Sequence, residues 1–306
     1  MLAKKLELLP AKDEEGTPVD FVFISGLGQD ETESWTAAVN SSFWPEKFLQ
    51  LTIPNARVLA FGFKQSKSFS DRVNRVCLDL NNHRLDTRST SNPIVFVARS
   101  LGGLVCAEII AQGGTSNKGS AAQVIADSVQ GIAFFGTPSQ DSENSDLKEI
   151  IQKMMDIYGV KTSDIIDTAL KLKDTFPAAS EERHKSKKPV GVISFAEARQ
   201  TKEAKSKLVD ADAAAIPGHG SVLKISNNHQ EIGTFEDDYE DGYKKMICEL
   251  QDLATILKQV NETNGGRTFN SSVGNYAEGN VYGGQHKNNT GPLTYGSIGT
   301  QNFNSQ

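Results

Sequence analysis

The sequence is poor in cysteine and has no long run of apolar residues. Its 306 residues include 3 cysteines, Cys77, Cys106 and Cys248, which are far apart and lie in apolar helical patterns. We predict that they are reduced core residues, because their spacing suits neither a disulfide framework nor a metal site. No apolar stretch approaches the roughly 18 residues that a transmembrane helix needs, so no membrane-spanning segment is expected.

An excess of basic residues is also absent. The formal net charge is −6 at pH 7, which argues against a nucleic-acid-binding protein and offers no general basic face to anionic lipids. Residues 1–7 contain no apolar core long enough for a signal peptide. We therefore expect a cytoplasmic protein; any contact with membranes would be peripheral.

A serine stands where an apolar strand pattern changes into a helical one. Residues 93–99 are rich in β-branched side chains and predict a buried strand, and helical spacing of apolar residues begins directly after Ser100. Ala98 and Gly102 provide the small residues that the tight turn of an α/β-hydrolase nucleophile elbow requires, with Ala98 in place of the usual glycine. Ser100 is thus the candidate nucleophile, and the backbone N–H of Leu101 is a candidate oxyanion donor. The alternative is a serine that only caps a helix.

The loop after the first predicted strand is the candidate for the second oxyanion donor. Val19 to Ser25 form that strand, and Gly26-Leu27-Gly28 follow it directly. The candidate donor to the oxyanion is the backbone N–H of Leu27. An ordinary glycine turn between strand and helix is the alternative interpretation.

Further strand patterns alternate with amphipathic helices, which predicts an α/β fold with a mostly parallel sheet flanked by helices. We assign residues 1–262 to this domain.

Ser70 is the candidate N-cap of a helix that reaches about residue 80. Two helices interrupt the alternation and are candidates for a cap over the site at about 144–180, or are peripheral helices. The remaining predicted strands cover 57–63, 130–136, 189–195 and 222–226, and the remaining helices cover 146–158, 162–175 and 239–260.

The order of polar residues after these strands matches a Ser-acid-His triad. In this fold the acid and the histidine follow the serine along the chain, each at the carboxyl end of a later strand. Glu197 follows the strand at 189–195, and His229 follows the strand at 222–226. Of the 5 histidines, only His229 lies where the fold would place the base. Asp141 remains an alternative acid.

Residues 263–306, which we call the tail, have a different composition. They are rich in Gly, Asn, Ser and Thr, carry almost no charge and lack the apolar density to fold alone. Asn and Gln interleaved with aromatic residues favour cross-β stacking, although a flexible tail is the alternative. The candidate amyloid residues are Tyr276, Val281, Tyr282, Tyr295, Ile298 and Phe303.

The ordered segments FVFISGLGQDETESW, RVLAFGF, PIVFVARSLGGLV, GIAFFGTPSQDSE, VISFAEA and SNNHQEIGTF together resemble a known family. They span roughly residues 19–235 and are similar to the fungal SesB-like lipase/esterase domain, which is related to the serine-hydrolase domain of the GPI inositol-deacylase type. The family usually carries histidines where this chain has Ser25, Arg99 and Ser139. The tail resembles amyloid segments of the HET-s or sigma kind.

The resemblance implies a role for each candidate residue. Ser100, Glu197 and His229 would be the nucleophile, acid and base of a cofactor-independent hydrolase of carboxylic esters, with lipid esters as the expected substrates. It also implies a cell-death effector that self-assembles through its tail and is recruited by an NLR-type receptor with a matching amyloid motif. The alternative is a signalling module that keeps the fold, has little or no chemistry and acts by assembly of the tail.

Overall fold

The computed structural model describes residues 5–8, 18–63, 68–162, 164–186 and 188–263. The candidate amyloid residues Tyr276, Val281, Tyr282, Tyr295, Ile298 and Phe303 lie outside these described residues, so the tail interpretation stays a prediction. Within the described ranges, no helix combines the length and the hydropathy that crossing a bilayer would require.

In the described part of the chain, 7 strands form one sheet with the order β1-β3-β2-β4-β5-β6-β7. Strand β1 pairs antiparallel with β3, and the other neighbours are parallel. The predicted mostly parallel sheet is therefore confirmed, whereas β1 was not predicted because its four residues are too few to show an alternating pattern. The strands are β1 Lys5–Leu8, β2 Val19–Leu27, β3 Ala56–Phe63, β4 Ile94–Arg99, β5 Val129–Phe135, β6 Gly191–Glu197 and β7 Leu223–Ile225.

Six longer helices cover the two faces of the sheet in the described residues. They are α1 Phe69–Asp86, α2 Gly102–Gly113, α3 Ala121–Ser128, α4 Leu147–Tyr158, α5 Ile165–Lys185 and α6 Asp241–Thr263. Shorter helical segments lie at Glu33–Trp35, Pro45–Leu49, Gln50–Thr52 and Ala211–Ala214. The two helices predicted as a candidate cap are α4 and α5, and they pack against each other.

Three helix predictions need correction. Ser68, not Ser70, caps α1: its backbone is extended and its hydroxyl accepts the N–H of Asp71 at 3.1 Å, whereas Ser70 is already helical. Helix α5 continues ten residues beyond the predicted end and includes Pro177. Helix α3 was missed, because its eight residues give too short a periodic pattern.

Alternation along the strands divides the core into two layers. On β2, Val22 and Ile24 point to the layer formed with helices α1 to α5, while Phe21 and Phe23 point to the layer formed with the two tryptophans and α6. All four side chains are fully buried. Because β2 to β7 are parallel, their carboxyl ends meet at one edge of the sheet, where the candidate site residues lie.

Candidate active site

Ser100 occupies a strained turn between β4 and α2. Its φ is 55°, in the left-handed region that residues other than glycine enter at an energetic cost. Its N–H donates to the carbonyl of Phe135 on β5 at 2.8 Å, so the turn is tied to the sheet. A Cβ on Gly102 would lie 2.3 Å from the carbonyl oxygen of Ser25, which explains why a residue without a side chain begins the helix.

The structure brings Ser100 and His229 into hydrogen-bonding contact. The Nε2 atom of His229 lies 3.0 Å from the Oγ atom of Ser100, although the two residues are 129 positions apart. His229 is fully buried, and Ser100 is 4% exposed. A serine hydroxyl next to an imidazole nitrogen is the arrangement in which the imidazole can take the hydroxyl proton.

Glu197 lies on the other side of the histidine ring. Its Oε1 is 3.5 Å from the Nδ1 atom of His229, longer than a hydrogen bond, so the carboxylate acts on the ring by its charge. Glu197 is 1% exposed and ends β6. Its Oε1 accepts the N–H of Val209, and its Oε2 accepts the hydroxyl of Thr201 at 3.1 Å.

The electrostatic surroundings keep His229 neutral. Burial lowers its pKa below the ordinary value, the adjacent Glu197 carboxylate opposes this shift, and the nearby Arg99 cation adds to it. The net direction is downward, so the ring carries no charge near neutral pH. A neutral imidazole is the form that can accept a proton from a hydroxyl.

Asp141, the alternative acid, makes other contacts. Its carboxylate pairs with Lys173 of α5 at 2.5 Å and accepts the N–H of Leu147 at the start of α4 at 2.9 Å. The hydrogen bond from Lys173 is the largest cause that lowers the pKa of Asp141. The structure thus places Glu197 beside His229, while Asp141 ties the two candidate cap helices to the end of β5.

The two candidate oxyanion donors, Leu27 and Leu101, belong to different elements. Leu101 is the residue between Ser100 and the start of α2, and Leu27 is the last residue of β2. Near the end of β2, a Cβ added to Gly26 would be 3.6 Å from the Cβ of Ser100. The N–H of Gly26 itself is occupied, because it donates to the hydroxyl of Ser34 at 2.9 Å.

Sequence reasoning missed Thr201 and the role of Arg99. The Thr201 hydroxyl contacts both Glu197 and the backbone N–H of His229. The sequence showed Arg99 only as an arginine where the resembling family usually has histidine. In the structure it is 2% exposed and donates to backbone carbonyls of Ser34, His229 and Gln230. No local sequence pattern predicts the contacts of Thr201 or Arg99. The only sequence feature that pointed to Arg99 was its position next to Ser100.

Ser25 and Ser139, which also stand where the resembling family usually has histidine, have clear positions. Ser25 is fully buried on β2, and its hydroxyl has no hydrogen-bond partner among the described residues. Ser139 follows β5 and is bound through its backbone N–H, which donates to the carbonyl of Ala213 at 2.7 Å. Neither side chain lies in hydrogen-bonding contact with His229 or Ser100 in the part of the chain that the structure describes.

The C-terminal end of α4 lies over the site. The ring of Tyr158 is 6.1 Å from the ring of His229, and a Cβ on Gly28 would lie 3.3 Å from the carbonyl oxygen of Tyr158 and 3.6 Å from Val160. The Tyr158 hydroxyl is buried without a partner among the described residues, and burial raises its pKa. In this conformation the pair of Ser100 and His229 is shielded from bulk solvent.

Comparison of the sequence with known protein families and with curated proteins gives no match. Comparison of the structure does. It is similar to the lipase BlEst2 of Bacillus licheniformis in mature form, with a TM-score of 0.52, 13% identity, and coverage of 83% of this chain and 99% of that one. It is also similar to a soluble variant of the monoglyceride lipase of Saccharomyces cerevisiae, with a TM-score of 0.51, 8% identity, and coverage of 82% and 91%.

At such low identity the similarity concerns the fold alone. The sheet order, the parallel strands from β3 to β7, the strained serine turn after β4 and the placement of the histidine beyond the last strand agree with it. The chain has the α/β-hydrolase fold.

Proposed function

We propose that this protein hydrolyses carboxylic esters through a covalent acyl-enzyme on Ser100. The single observation that carries the proposal is the 3.0 Å contact between Ser100 Oγ and His229 Nε2 at a strained turn. Strain at such a turn holds the hydroxyl in place for attack, and a neutral imidazole beside it activates a weak nucleophile.

The acylation step follows from this geometry. His229 Nε2 takes the hydroxyl proton while Ser100 Oγ forms a bond to the carbonyl carbon of the ester, and the carbonyl electron pair moves onto the oxygen. Backbone N–H groups of Leu101 and Leu27 are the proposed donors to this oxyanion. When the tetrahedral intermediate collapses, the alcohol leaves with the proton from His229 and the acyl group stays on Ser100.

Deacylation repeats the same proton transfers with water. His229 removes a proton from a water molecule that attacks the acyl carbon, and it returns the proton to Ser100 Oγ as the carboxylic acid leaves. The Glu197 carboxylate would stabilise the imidazolium that exists during each step, without being protonated itself. No cofactor takes part in this scheme.

Lipid esters are the proposed substrate class. The two structures of similar fold named above are a lipase and a monoglyceride lipase. The sequence resemblance to the SesB-like lipase/esterase domain points to the same class. A buried pair with the Tyr158 ring beside it also suits an acyl chain better than a strongly hydrated group.

The cellular role that we propose comes from the sequence resemblance. The protein would be an effector of programmed cell death in the cytoplasm, recruited by an NLR-type receptor whose amyloid motif templates the tail. Self-assembly through the tail would bring many hydrolase domains together.

One observation favours a second candidate, a signalling module with little or no chemistry. Ser100 is only 4% exposed and His229 is fully buried, so substrate reaches them only if residues that cover the site move. In that case tail assembly would be the whole output, and hydrolysis would be absent or would begin only after assembly.

Turnover of a series of 4-nitrophenyl esters distinguishes these functions. The series should run from acetyl to long-chain acyl groups and compare the wild type with Ser100→Ala and with Ser139→Ala, a matched serine outside the pair. We expect turnover that Ser139→Ala retains and Ser100→Ala loses, with preference for longer chains. Equal rates in the wild type and Ser100→Ala, with or without tail fibrils, would overturn the proposed hydrolysis.

A further inference from the structure

Arg99 is a buried cation directly before Ser100. It ends β4, and its side chain is 2% exposed. Among the described residues its guanidinium makes no salt bridge; it donates instead to three backbone carbonyl oxygens, those of Ser34 at 3.2 Å, His229 at 3.0 Å and Gln230 at 2.6 Å. The planar fork of a guanidinium can hold several acceptors in fixed directions, which an ammonium group cannot do.

The carbonyls that Arg99 binds belong to two different loops. His229 and Gln230 form the loop that carries the candidate base, which we call the base loop. Ser34 belongs to residues 26–34, which run from the end of β2 to the short helical segment Glu33–Trp35 and which we call the oxyanion loop. Its hydroxyl accepts the N–H of Gly26 at 2.9 Å and donates to Gln29 at 2.7 Å, so it binds the chain on both sides of the candidate donor Leu27. Arg99 therefore links the base loop and the oxyanion loop through one rigid side chain.

We propose that Arg99 is a positioning residue that sets the distance between the base loop and the oxyanion loop around Ser100. This inference rests on the proposed function, and it assigns a task to a residue that the sequence showed only as a departure from the family pattern. Arg99 touches no reacting atom; it acts through the backbones of His229 and Ser34. A displacement of about 1 Å in such a constellation lowers catalysis by about 100-fold.

The charge of Arg99 gives a second effect that a purely structural arginine lacks. The charged and titratable groups that act on His229 or on Arg99 come from several elements: Glu197 from β6, Arg99 from β4, Tyr158 from α4, and Glu231, which follows the base loop and acts on Arg99. Burial lowers the pKa of His229 first, and the Arg99 cation lowers it further. Removal of the cation should therefore raise the pKa of His229, and its protonated form should persist to a higher pH.

Arg183 provides a matched control in the same chain. It is also an arginine whose guanidinium binds backbone carbonyls, namely those of Ala126 at 2.5 Å, Val129 at 2.7 Å and Lys188 at 3.1 Å. Burial lowers the pKa of Arg183 as it does that of Arg99. It lies at the end of α5, at the opposite edge of the sheet from the base loop, where β5 begins.

The experiment compares Arg99→Met, Arg99→Lys and Arg183→Met with the wild type. For Arg99→Met we expect kcat to fall by about 100-fold with KM within about threefold, and the acid limb of the kcat/KM profile to move to higher pH. Arg99→Lys keeps a charge but not the fork, so kcat should fall while the acid limb stays near the wild-type position. Arg183→Met should lower stability only.

A readout without turnover separates this inference from the proposed function. The titration of His229 is followed by NMR in protein with 13C-labelled histidine, with the resonance assigned from His229→Asn. If the wild type shows no ester turnover while the pKa of His229 is raised in Arg99→Met, ester hydrolysis is refuted and the positioning role is supported. The inference is overturned if Arg99→Met or Arg99→Lys is folded and matches Arg183→Met in three properties. These are kcat, the rate of labelling by a fluorophosphonate and the titration of His229.

Discussion

The hydroxyl of Thr201 joins Glu197 to the base loop. Its oxygen accepts the backbone N–H of His229 at 3.1 Å, and its hydrogen goes to Oε2 of Glu197 at 3.1 Å. Thr201 is fully buried, so neither partner has water as a replacement. One side chain thus fixes the loop of the base relative to the candidate acid.

Replacement of Thr201 by valine should weaken both stability and catalysis. Thr201→Val keeps the shape but leaves the N–H of His229 and one carboxylate oxygen without this partner, which should lower the free energy of unfolding by about 1–3 kcal/mol. We expect kcat to fall as the histidine loses its fixed position. Thr201→Ser retains the hydroxyl and is the control. Urea unfolding and ester turnover test this; equal behaviour of the valine and serine variants would contradict it.

The pH dependence of stability should report on two histidines, of which His229 is fully buried and His219 is partly buried. Burial lowers the pKa of both His229 and His219 in the folded protein. The unfolded chain therefore binds protons more readily, and the stability that the neutral rings contribute is lost as pH falls below about 6.5. Urea unfolding between pH 8 and 5 should show this loss, and both His229→Gln and His219→Gln should reduce it.

Activity should depend on only one of these histidines. Glu197→Gln removes the charge that raises the pKa of His229, so the acid limb of kcat/KM should move to lower pH while the rate falls. His219→Gln should leave the limb in place. If the acid limb of kcat/KM shifts in His219→Gln, or moves to higher pH in Glu197→Gln, a group other than His229 controls activity.

The turn at Ser100 should not tolerate a side chain at Gly102. A Cβ there would meet the carbonyl oxygen of Ser25 at 2.3 Å, so Gly102→Ala must displace β2 or the start of α2. We expect lower thermal stability and slower reaction with fluorophosphonates. Gly114→Ala, where nothing lies within 4 Å of the added Cβ, is the matched control. The prediction fails if both variants keep the wild-type melting temperature and reaction rate.

The tail prediction rests on sequence alone. Few charges interrupt residues 264–306, so identical chains can stack with Asn and Gln ladders and stacked tyrosines. A peptide of these residues should form thioflavin-positive fibrils, and Val281→Asp or Ile298→Asp should prevent this, because a charge would repeat along the stack. A seeded peptide that stays monomeric at high concentration would contradict the prediction.

Much of the fold could be predicted from the sequence because its signals are local. The strands β2 to β7 are short apolar runs, and the spacing changes from strand to helix within a few residues of Ser100. The order of acid and histidine follows from the rule that a parallel sheet carries its site at one edge. That rule placed His229 and Glu197 at the edge where the structure has them.

The supporting contacts could not be predicted, because they join distant backbone groups. Arg99 reaches the carbonyl of His229 across 130 positions, and a backbone carbonyl has no residue type that marks it in a sequence. Thr201 lies in a loop without periodicity. The sequence also could not decide which serine is the N-cap of α1, because Ser68 and Ser70 are chemically the same and only their backbone angles distinguish them.

The most direct test of the central claim is covalent labelling of Ser100. The full chain should react with a fluorophosphonate, and mass spectrometry of the digest should place the adduct on Ser100. Ser100→Ala should be folded, because one hydroxyl contributes little to stability, and it should take up no label. His229→Ala should be labelled more slowly than the wild type by a factor of about 1,000 or more. Absence of an adduct on Ser100 in folded protein, or equal labelling of Ser100→Ala, would contradict the account.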